Sequence, residues 1–282
     1  MALRDILLHL DCYPDATSTA AIDQAVSFAA GFGGRLSALA VEVQIPVHSN
    51  AVADRLVGLT QAARDEEARS RQAAGQGLAY FTSQAKKAGV FEEAMLGKAH
   101  HLGVPEYVAH RARTRDLCIL PLGHRFDGQQ EVAQGVIFGS GRPVLVFKTD
   151  GAGGFAGPPG VVVVAWDGSR CAARALADAL PILAVAREVR VLTVLNDKPG
   201  AISAAAIEAQ RHLERHGIKA SLDNIDGGGE PIGVALDRYL EGLSPDLLVM
   251  GAYGHSRIQE FLLGGATEHM LRAPVLPVLM SH

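Results

Sequence analysis

Four glycines and a threonine near the end of the chain have the residue types and the spacing of a phosphate site. Gly251 follows a short apolar run, Gly254 comes three residues later, and Gly264 and Gly265 precede Thr267. Glycine lets a backbone approach an anion without a side chain in the way, and a helix N-terminus offers unpaired N–H groups. The stretch predicts a site for a phosphorylated ligand, with a tight turn as the alternative interpretation of the first two glycines.

Two common phosphate motifs do not explain this stretch. It lacks the Gly-Lys-Ser/Thr ending of a Walker loop, and its spacing differs from that of a dinucleotide fingerprint. Arg257 is the basic side chain nearest to the glycines, and neither a base for water nor a carboxylate cluster for Mg²⁺ accompanies it. We therefore expect no catalytic residues, and at most slow hydrolysis of a bound triphosphate.

Other groups that could do chemistry favour simpler interpretations. Glu208, His212 and His216 recur at four-residue intervals, which is typical of a solvated helix face more often than of a metal site. The adjacent His100 and His101 precede a predicted helix and are interpreted in the same way. The three cysteines form no Cys-x-x-Cys pair, so neither a disulfide framework nor a zinc site is predicted.

The elements that must position the glycines alternate between apolar strands and helices. This alternation predicts two tandem, doubly wound α/β domains, each with a five-stranded parallel sheet flanked by helices. The predicted strands are 6–10, 36–43, 90–96, 117–120, 144–147, 161–164, 189–195, 219–225, 247–250 and 277–280. The predicted helices are 20–32, about 52–88, 105–113, 171–186, 202–216, 232–243 and 268–272.

The order of elements restarts after a segment rich in glycine and proline. We expect an N-terminal domain over 1–149, a linker over 150–160 and a C-terminal domain over 161–282. Asp11 and Asp167 occupy corresponding strand ends. A repeat of about 150 residues indicates a duplicated domain rather than a solenoid. Two fused copies are expected to pack as an intramolecular pseudo-twofold dimer, and dimerisation of the whole chain stays open.

Charge and hydropathy argue against several classes of protein. The formal net charge of −4 provides no strongly basic face, so a nucleic-acid partner is not expected. No apolar stretch reaches about 18 residues without a charge, so no membrane partner is expected. The first residues lack the long apolar core of a signal peptide. These features favour a cytoplasmic protein.

Two segments of the C-terminal half resemble the universal stress protein family. They are the stretch Val163-Val164-Ala165-Trp166-Asp167-Gly168-Ser169 and the segment from Asp246 to Leu279. The nucleotide motif of that family is Gly, two residues, Gly, nine residues, Gly, then Ser or Thr. Gly251, Gly254 and Gly264 keep this spacing, whereas Gly265 replaces the usual hydroxyl residue and Thr267 supplies a hydroxyl two positions later. The resemblance implies a Rossmann-like sheet that binds ATP, with or without Mg²⁺, at the strand ends of the C-terminal half.

Carried over position by position, the resemblance implies an adenine end and a phosphate end. Ala165 and Asp167 would line the adenine end, Val194 would pack on the base, and Met250 and Gly251 would flank the base and ribose. The positions expected to contact the phosphates, with a polar or cationic contact from the histidine, are Gly254, His255, Gly264, Gly265, Ala266 and Thr267. Val194 and Met250 also fit ordinary core positions, Asp167 also fits a helix cap, and the histidine also fits an exposed loop.

The N-terminal half shares this layout but departs from the motif. Pro121 stands where Gly251 stands in the other half. There are 22 residues from Pro121 to Pro143, against 26 from Gly251 to Pro277, so part of the glycine segment is missing. We interpret Gly139-Ser140-Gly141 as a turn into the last strand. The N-terminal half is therefore not expected to hold a triphosphate.

Three hypotheses for function follow. The favoured one is a tandem universal stress protein that binds ATP or a related adenine nucleotide in its C-terminal half. The second is a structural or protein-interaction module of the same fold that binds another ligand or none. The third, an ATP-using ligase, is disfavoured because the chain has neither a Ser-Gly-Gly-x-Asp-Ser loop nor a second catalytic domain.

Overall fold

The computed structural model describes residues 3–46, 58–123, 127–148, 157–195, 204–253 and 265–282. In the N-terminal half, strands β1 to β5 are Asp5–Leu10, Arg35–Gln44, Phe91–His100, Leu117–Leu122 and Val144–Lys148. The described helices of this half, α1 to α4, are Thr19–Gly31, Leu59–Lys87, Val104–Ala112 and Asp127–Gly139. A 3-10 turn, His101–Gly103, precedes α3.

The C-terminal half repeats this order of elements. Its strands β6 to β10 are Val161–Ala165, Glu188–Leu195, Ala220–Asp226, Leu247–Gly251 and Val278–Ser281. Its described helices α5 to α8 are Arg170–Leu183, Ala204–Arg215, Ile232–Leu243 and Ala266–Arg272. Corresponding serines begin the first helix of each half. The Ser18 hydroxyl accepts from the Ala21 N–H in α1, and the Ser169 hydroxyl accepts from the Ala172 N–H in α5.

All ten strands form one continuous sheet, in the order β3-β2-β1-β4-β5-β10-β9-β6-β7-β8. Within each half the strands are parallel, and the order 3-2-1-4-5 is that of a doubly wound domain. The two halves meet at β5 and β10, which pair antiparallel with Leu145 opposite Leu279. The predicted pair of five-stranded parallel α/β units is confirmed, and the structure adds that their sheets are joined edge to edge.

Two apolar clusters cover the two faces of the sheet. Helices α1, α2, α5 and α6 pack on one face, and α3, α4, α7 and α8 pack on the other. Each face buries side chains from alternate positions of the strands, as the pleat requires. Among the described residues, no helix has the length and apolar character needed to cross a bilayer.

The structure corrects two parts of the predicted organisation. Residues 127–139, to which the sequence assigned no element, form helix α4. The expected turn Gly139-Ser140-Gly141 begins one residue later, because Gly139 is the last residue of α4, and Gly141 has a φ of +66°. The first part of the predicted long helix, 52–57, and most of the predicted linker, 150–156, lie outside the described residues.

Candidate functional site

The strand ends of the C-terminal half bring several of the predicted adenine-site residues to one edge of the sheet. Ala165 pairs with Met250 in the parallel register of β6 and β9, and with Leu192 of β7. Val194 lies two residues beyond Leu192, on the same face of the sheet. Met250 is only 5% exposed and is mainly a core residue, whereas Ala165 and Val194 are half-buried. The carboxyl ends of parallel strands are the usual ligand-binding edge of such a sheet.

Asp167 is exposed and organises the turn that leads into α5. Its Oδ1 accepts from the backbone N–H of Ser169 at 2.8 Å, and Gly168 between them has a φ of +74°. The alternative that Asp167 caps the helix is wrong, because the capping side chain is that of Ser169. The preceding residue, Trp166, is held to β7, because its backbone N–H donates to the carbonyl oxygen of Leu192 at 2.8 Å.

Gly251 has a packing reason to be glycine. A Cβ at this position would lie 2.4 Å from the backbone nitrogen of Ala172 and 2.6 Å from the carbonyl carbon of Cys171. Both atoms belong to the backbone of the first turn of α5, which cannot move aside as a flexible side chain can. The glycine at the end of β9 therefore lets the N-terminal turn of α5 approach the strand closely.

Thr267 joins the two ends of the segment that contains the glycine motif. Its hydroxyl accepts from the backbone N–H of Tyr253 at 3.0 Å, although 14 residues separate the two positions in the chain. Thr267 is only 2% exposed, and Tyr253 has a left-handed backbone with a φ of +55°. The hydroxyl keeps its own proton, so it can still donate a hydrogen bond while it accepts this one.

Gly265 and Ala266 form the start of α8. Gly265 is the N-cap residue, and no side chain caps this helix end. Serine or threonine at this position would ordinarily accept a hydrogen bond from the first turn. Gly265 and Ala266 are half-buried, and Ala266 packs against the same apolar cluster as Ala165 and Val194.

A contact with α7 holds helix α8 in place. The Nε2 atom of His269 lies 2.6 Å from Oδ2 of Asp237. The imidazole ring packs against Gly233, where a Cβ would lie 2.5 Å from the ring. The position of Thr267 is therefore fixed both by its own bond and by the next turn of its helix.

Several predicted site residues lie outside the part of the chain that the structure describes. These are Gly254, His255 and Gly264, together with Arg257. Tyr253 and Ser169, which hold the strand ends in shape, were not predicted as site residues. Each of them had one signal in the sequence: Tyr253 directly precedes Gly254, and Ser169 belongs to the motif around Asp167.

The corresponding strand end of the N-terminal half is filled by side chains. His9, at the position of Ala165, is 3% exposed, with Nδ1 3.2 Å from the carbonyl oxygen of Leu39. Its Nε2 lies 3.2 Å from Oδ1 of Asp11, which is 9% exposed. Burial, followed by the negative charge of Asp11, raises the pKa of the Cys12 thiol to about 12. Cys12 is thus a protonated thiol at neutral pH and not a nucleophile.

The segment after β4 also differs from its counterpart after β9. Only residues 123–126 separate β4 from α4, whereas residues 252–265 separate β9 from α8. Gln129 in the first turn of α4 accepts a hydrogen bond from the Gly123 N–H. Gly139 and Ser140 lie at the far end of α4, so they cannot correspond to the glycines at the start of α8.

The side chains of the other candidate clusters contact one another or their own neighbours. Glu208 is paired with Arg211 at 2.7 Å, and the rings of His212 and His216 pack edge to face at 4.8 Å. His100 and His101 stack on each other at 4.7 Å. Among the described residues, no group of three or more His, Cys, Asp or Glu side chains could hold a metal ion.

Comparison with known proteins gives this arrangement a family. Residues 160–282 match the model of the universal stress protein family. The C-terminal half of the chain is therefore a domain of that family. A universal stress protein of Synechocystis is 39% identical over 84 residues, which cover 30% of this chain. The matched segment spans 28% of the length of that relative.

Solved structures show that the fold extends over both halves. A universal stress protein from Archaeoglobus fulgidus, 17% identical, covers 99% of this chain and 97% of its own, with a TM-score of 0.66. A functionally unknown protein from Pseudomonas aeruginosa, also 17% identical, covers 98% of this chain and 92% of its own, with a TM-score of 0.52. The N-terminal half therefore has the same α/β fold as the C-terminal half, although the family model matches only the C-terminal half.

Proposed function

We propose that this universal stress protein is a stress-response module whose C-terminal half binds ATP or a related adenine nucleotide. The observation that carries the proposal is the hydrogen bond from the Tyr253 N–H to the Thr267 hydroxyl. It joins the two described ends of the segment with the Gly-x-x-Gly-x₉-Gly spacing at the carboxyl edge of the sheet. A glycine-rich loop beside a helix start suits a phosphate chain.

The neighbouring strand ends suit a base. Ala165 and Val194 are half-buried and apolar, so a purine can pack against their exposed parts. Asp167 is exposed just beyond them, where a carboxylate can accept from an exocyclic amine. We assign Ala165, Asp167, Val194, Met250 and Gly251 to the adenine and ribose end. The phosphate end is assigned to the loop and to Gly265, Ala266 and Thr267.

The proposal gives the N-terminal half a structural role. His9 stands at the position that corresponds to the small Ala165. Only four residues follow β4, where fourteen residues, including the glycine motif, follow β9. We therefore propose one nucleotide per chain, with the domain boundaries near residues 149 and 161.

A second candidate, a protein-interaction module without a nucleotide, is favoured by one observation. The N-terminus of α8 has no capping side chain, because Gly265 stands where the family usually has a hydroxyl. The loss of that donor weakens phosphate binding by about 0.5–1.5 kcal/mol. The two candidates differ in whether the purified protein binds nucleotides at all.

Calorimetric titration of ATP with Mg²⁺ into the full chain tests the proposal. We expect one site per chain, its loss in Gly254→Val and its weakening in Asp167→Ala. Gly123→Ala is the matched control in the other half, because its Cβ would meet only the end of the flexible Gln129 side chain, at 3.1 Å. The chain has one tryptophan, Trp166, next to Asp167, so its fluorescence provides a second readout.

The outcomes separate the two candidates. Two sites per chain would contradict the assignment of a structural role to the N-terminal half. Absence of binding by folded, ligand-free protein, also with ADP and AMP, would reject the nucleotide proposal and favour the interaction module.

A further inference from the structure

One aromatic side chain of the N-terminal half contacts the end of β9, just before Gly254. Phe138 is the penultimate residue of α4. Its ring centroid lies 4.7 Å from that of Tyr253, with the planes tilted by 39°. It also lies 4.8 Å from the His282 ring in an edge-to-face arrangement. Such distances and angles are those of favourable aromatic contacts. Phe138 thus connects the two halves at this strand end.

The two rings that Phe138 touches belong to the residues that hold this strand end. His282 Nδ1 lies 2.9 Å from the carbonyl oxygen of Ala252. The Ala252 N–H donates to Ser281 at 2.8 Å, and the Tyr253 N–H donates to Thr267. Ala252 and Tyr253 are the last two residues before Gly254. Their backbone therefore sets the direction in which the chain enters the glycine motif.

Tyr253 needs such support because its backbone conformation is unfavourable. A φ of +55° is rare for a residue other than glycine, asparagine or aspartate, and it persists only where the surroundings hold it. The hydrogen bond to Thr267 holds the peptide group of Tyr253, and Phe138 holds its ring. These two restraints come from different halves of the chain.

The position of Phe138 is itself anchored across the junction of the halves. The turn that follows α4 contains Gly141, whose carbonyl oxygen accepts from Nη2 of Arg174 in α5 at 3.2 Å. Arg174 is also paired with Asp178, which accepts from the Ser281 hydroxyl at 3.0 Å. The end of α4 is therefore attached to the C-terminal half beside the strand that carries His282.

We propose that Phe138 is a positioning residue through which the N-terminal half fixes Tyr253 and so sets the nucleotide affinity of the C-terminal half. This inference rests on the proposed function for its effect on affinity. The coupling is reciprocal, so a bound nucleotide strengthens the contact between the halves by the same factor. The half that lacks the motif thereby regulates the half that has it.

Two measurements on the full chain test this role. Phe138→Ala is expected to raise the dissociation constant of MgATP about tenfold, within the usual range of coupling between sites. Phe138→Tyr keeps the ring and is expected to restore the affinity. Phe91→Ala is the matched control, because Phe91 is a half-buried ring of the same half on the distant edge strand β3. In nucleotide-free protein, Phe138→Ala is expected to accelerate amide hydrogen exchange at Tyr253, and Phe91→Ala is not.

The outcomes for Phe138 and for the proposed function can be told apart. If the wild-type chain binds MgATP and Phe138→Ala binds it equally well, the positioning role is wrong while the nucleotide proposal stands. If the wild-type chain binds no nucleotide, the proposed function fails. In that case, unchanged exchange at Tyr253 in Phe138→Ala would overturn the positioning role as well.

Discussion

The two halves of the sheet have the same strand order but opposite contents at the carboxyl ends of their first strands. In the N-terminal half, His9 and Asp11 are buried against each other. In the C-terminal half, the same positions hold the half-buried Ala165 and the exposed Asp167. One strand end carries two buried side chains, and the other carries a small side chain and an exposed carboxylate.

The difference continues in the segment that follows the fourth strand of each half. Fourteen residues lead from β9 to the seven-residue helix α8, whereas four lead from β4 to the thirteen-residue helix α4. The N-terminal half thus has the shorter connection and the longer helix, and Phe138 is the penultimate residue of that helix. The two copies of a duplicated fold can therefore differ at corresponding strand ends and connections without a change in topology.

The largest expected effect concerns the close approach that only the C-terminal half makes. Gly251→Ala would place a Cβ against the backbone of Cys171 and Ala172, so we expect a loss of about 3 kcal/mol in the free energy of unfolding. The measurement is urea denaturation. Pro121→Ala, at the corresponding position of the N-terminal half, is the control and should cost about 1 kcal/mol or less. Equal effects in both variants would contradict the proposed asymmetry.

An exchange of residues between the two strand ends tests which side chain closes the site. Ala165→His should fill the proposed adenine end and weaken the proposed binding of MgATP by about a hundredfold, or about 2.7 kcal/mol. His9→Ala leaves Asp11 without its partner and should destabilise the fold by about 2 kcal/mol without creating a second site. The measurement is calorimetric titration of MgATP into both variants. A second site in His9→Ala would show that this side chain alone keeps the N-terminal half empty.

The hydroxyl of Thr267 is expected to have a smaller effect on stability. Thr267→Val keeps the shape of the side chain but leaves the Tyr253 N–H without its acceptor, which should cost about 1–2 kcal/mol. Thr267→Ser retains the hydroxyl and is the control. Thermal unfolding of both variants is the measurement. A loss in Thr267→Ser as large as that in Thr267→Val would indicate that the methyl group matters and the hydrogen bond does not.

Alkaline pH should act on the two halves in sequence. Burial raises the pKa of the Cys118 thiol from 9.0 to about 12 in the folded N-terminal half. In the C-terminal half, burial and then the hydrogen bond to Asp223 raise the pKa of Tyr239 from 10.0 to about 12. Because both folded values exceed the unfolded ones, the stability each group contributes is complete below pH 9 or pH 10 respectively, and is lost as the pH rises towards 12.

Denaturation at pH 8 to 11 measures this dependence. Each group should contribute up to about 1.4 kcal/mol of lost stability per pH unit in its window. Cys118→Ala should flatten the decline from pH 9 upwards, and Tyr239→Phe should flatten it only above pH 10. Parallel curves for the wild type and both variants would show that other groups control the alkaline limit.

The smallest expected effect comes from restoring the hydroxyl that the family motif usually has. Gly265→Ser should cap α8 and stabilise the chain by a few tenths of a kcal/mol. It should also tighten MgATP binding by at most about tenfold, since one hydrogen bond is added. Titration of the variant beside the wild type tests this. Weaker binding in Gly265→Ser would indicate that the ligand needs the space that glycine leaves.

Nearly all of the described elements could be predicted because their signals are local. Each strand is a short apolar run, and the alternation with helices leads to a parallel sheet. Helix α4 was missed because its sequence contains three glycines, which lower helix propensity. Its buried residues Val132, Val136 and Ile137 show that packing on the sheet overrides that weakness.

The sequence predicted the candidate site only through the types and spacing of its residues. The glycine spacing indicated where a ligand would bind, and the structure brings the described residues of that prediction to one edge. The packing of Gly251 depends on the approach of α5, and the bond between Tyr253 and Thr267 joins residues 14 positions apart in the chain. Contacts of this kind depend on the assembled fold and leave no periodic trace in the sequence.

The antiparallel pairing of β5 with β10 decides where the sheet can still grow. Since each half uses its fifth strand at the junction, the outermost strands of the ten are β3 and β8. Both carry charges along their length: Glu92, Glu93 and Lys98 on β3, and Asp223 and Asp226 on β8. Charged edge strands disfavour pairing with a further strand, which is how natural sheets resist edge-to-edge aggregation. The duplication thus hides two apolar edges and leaves two polar ones.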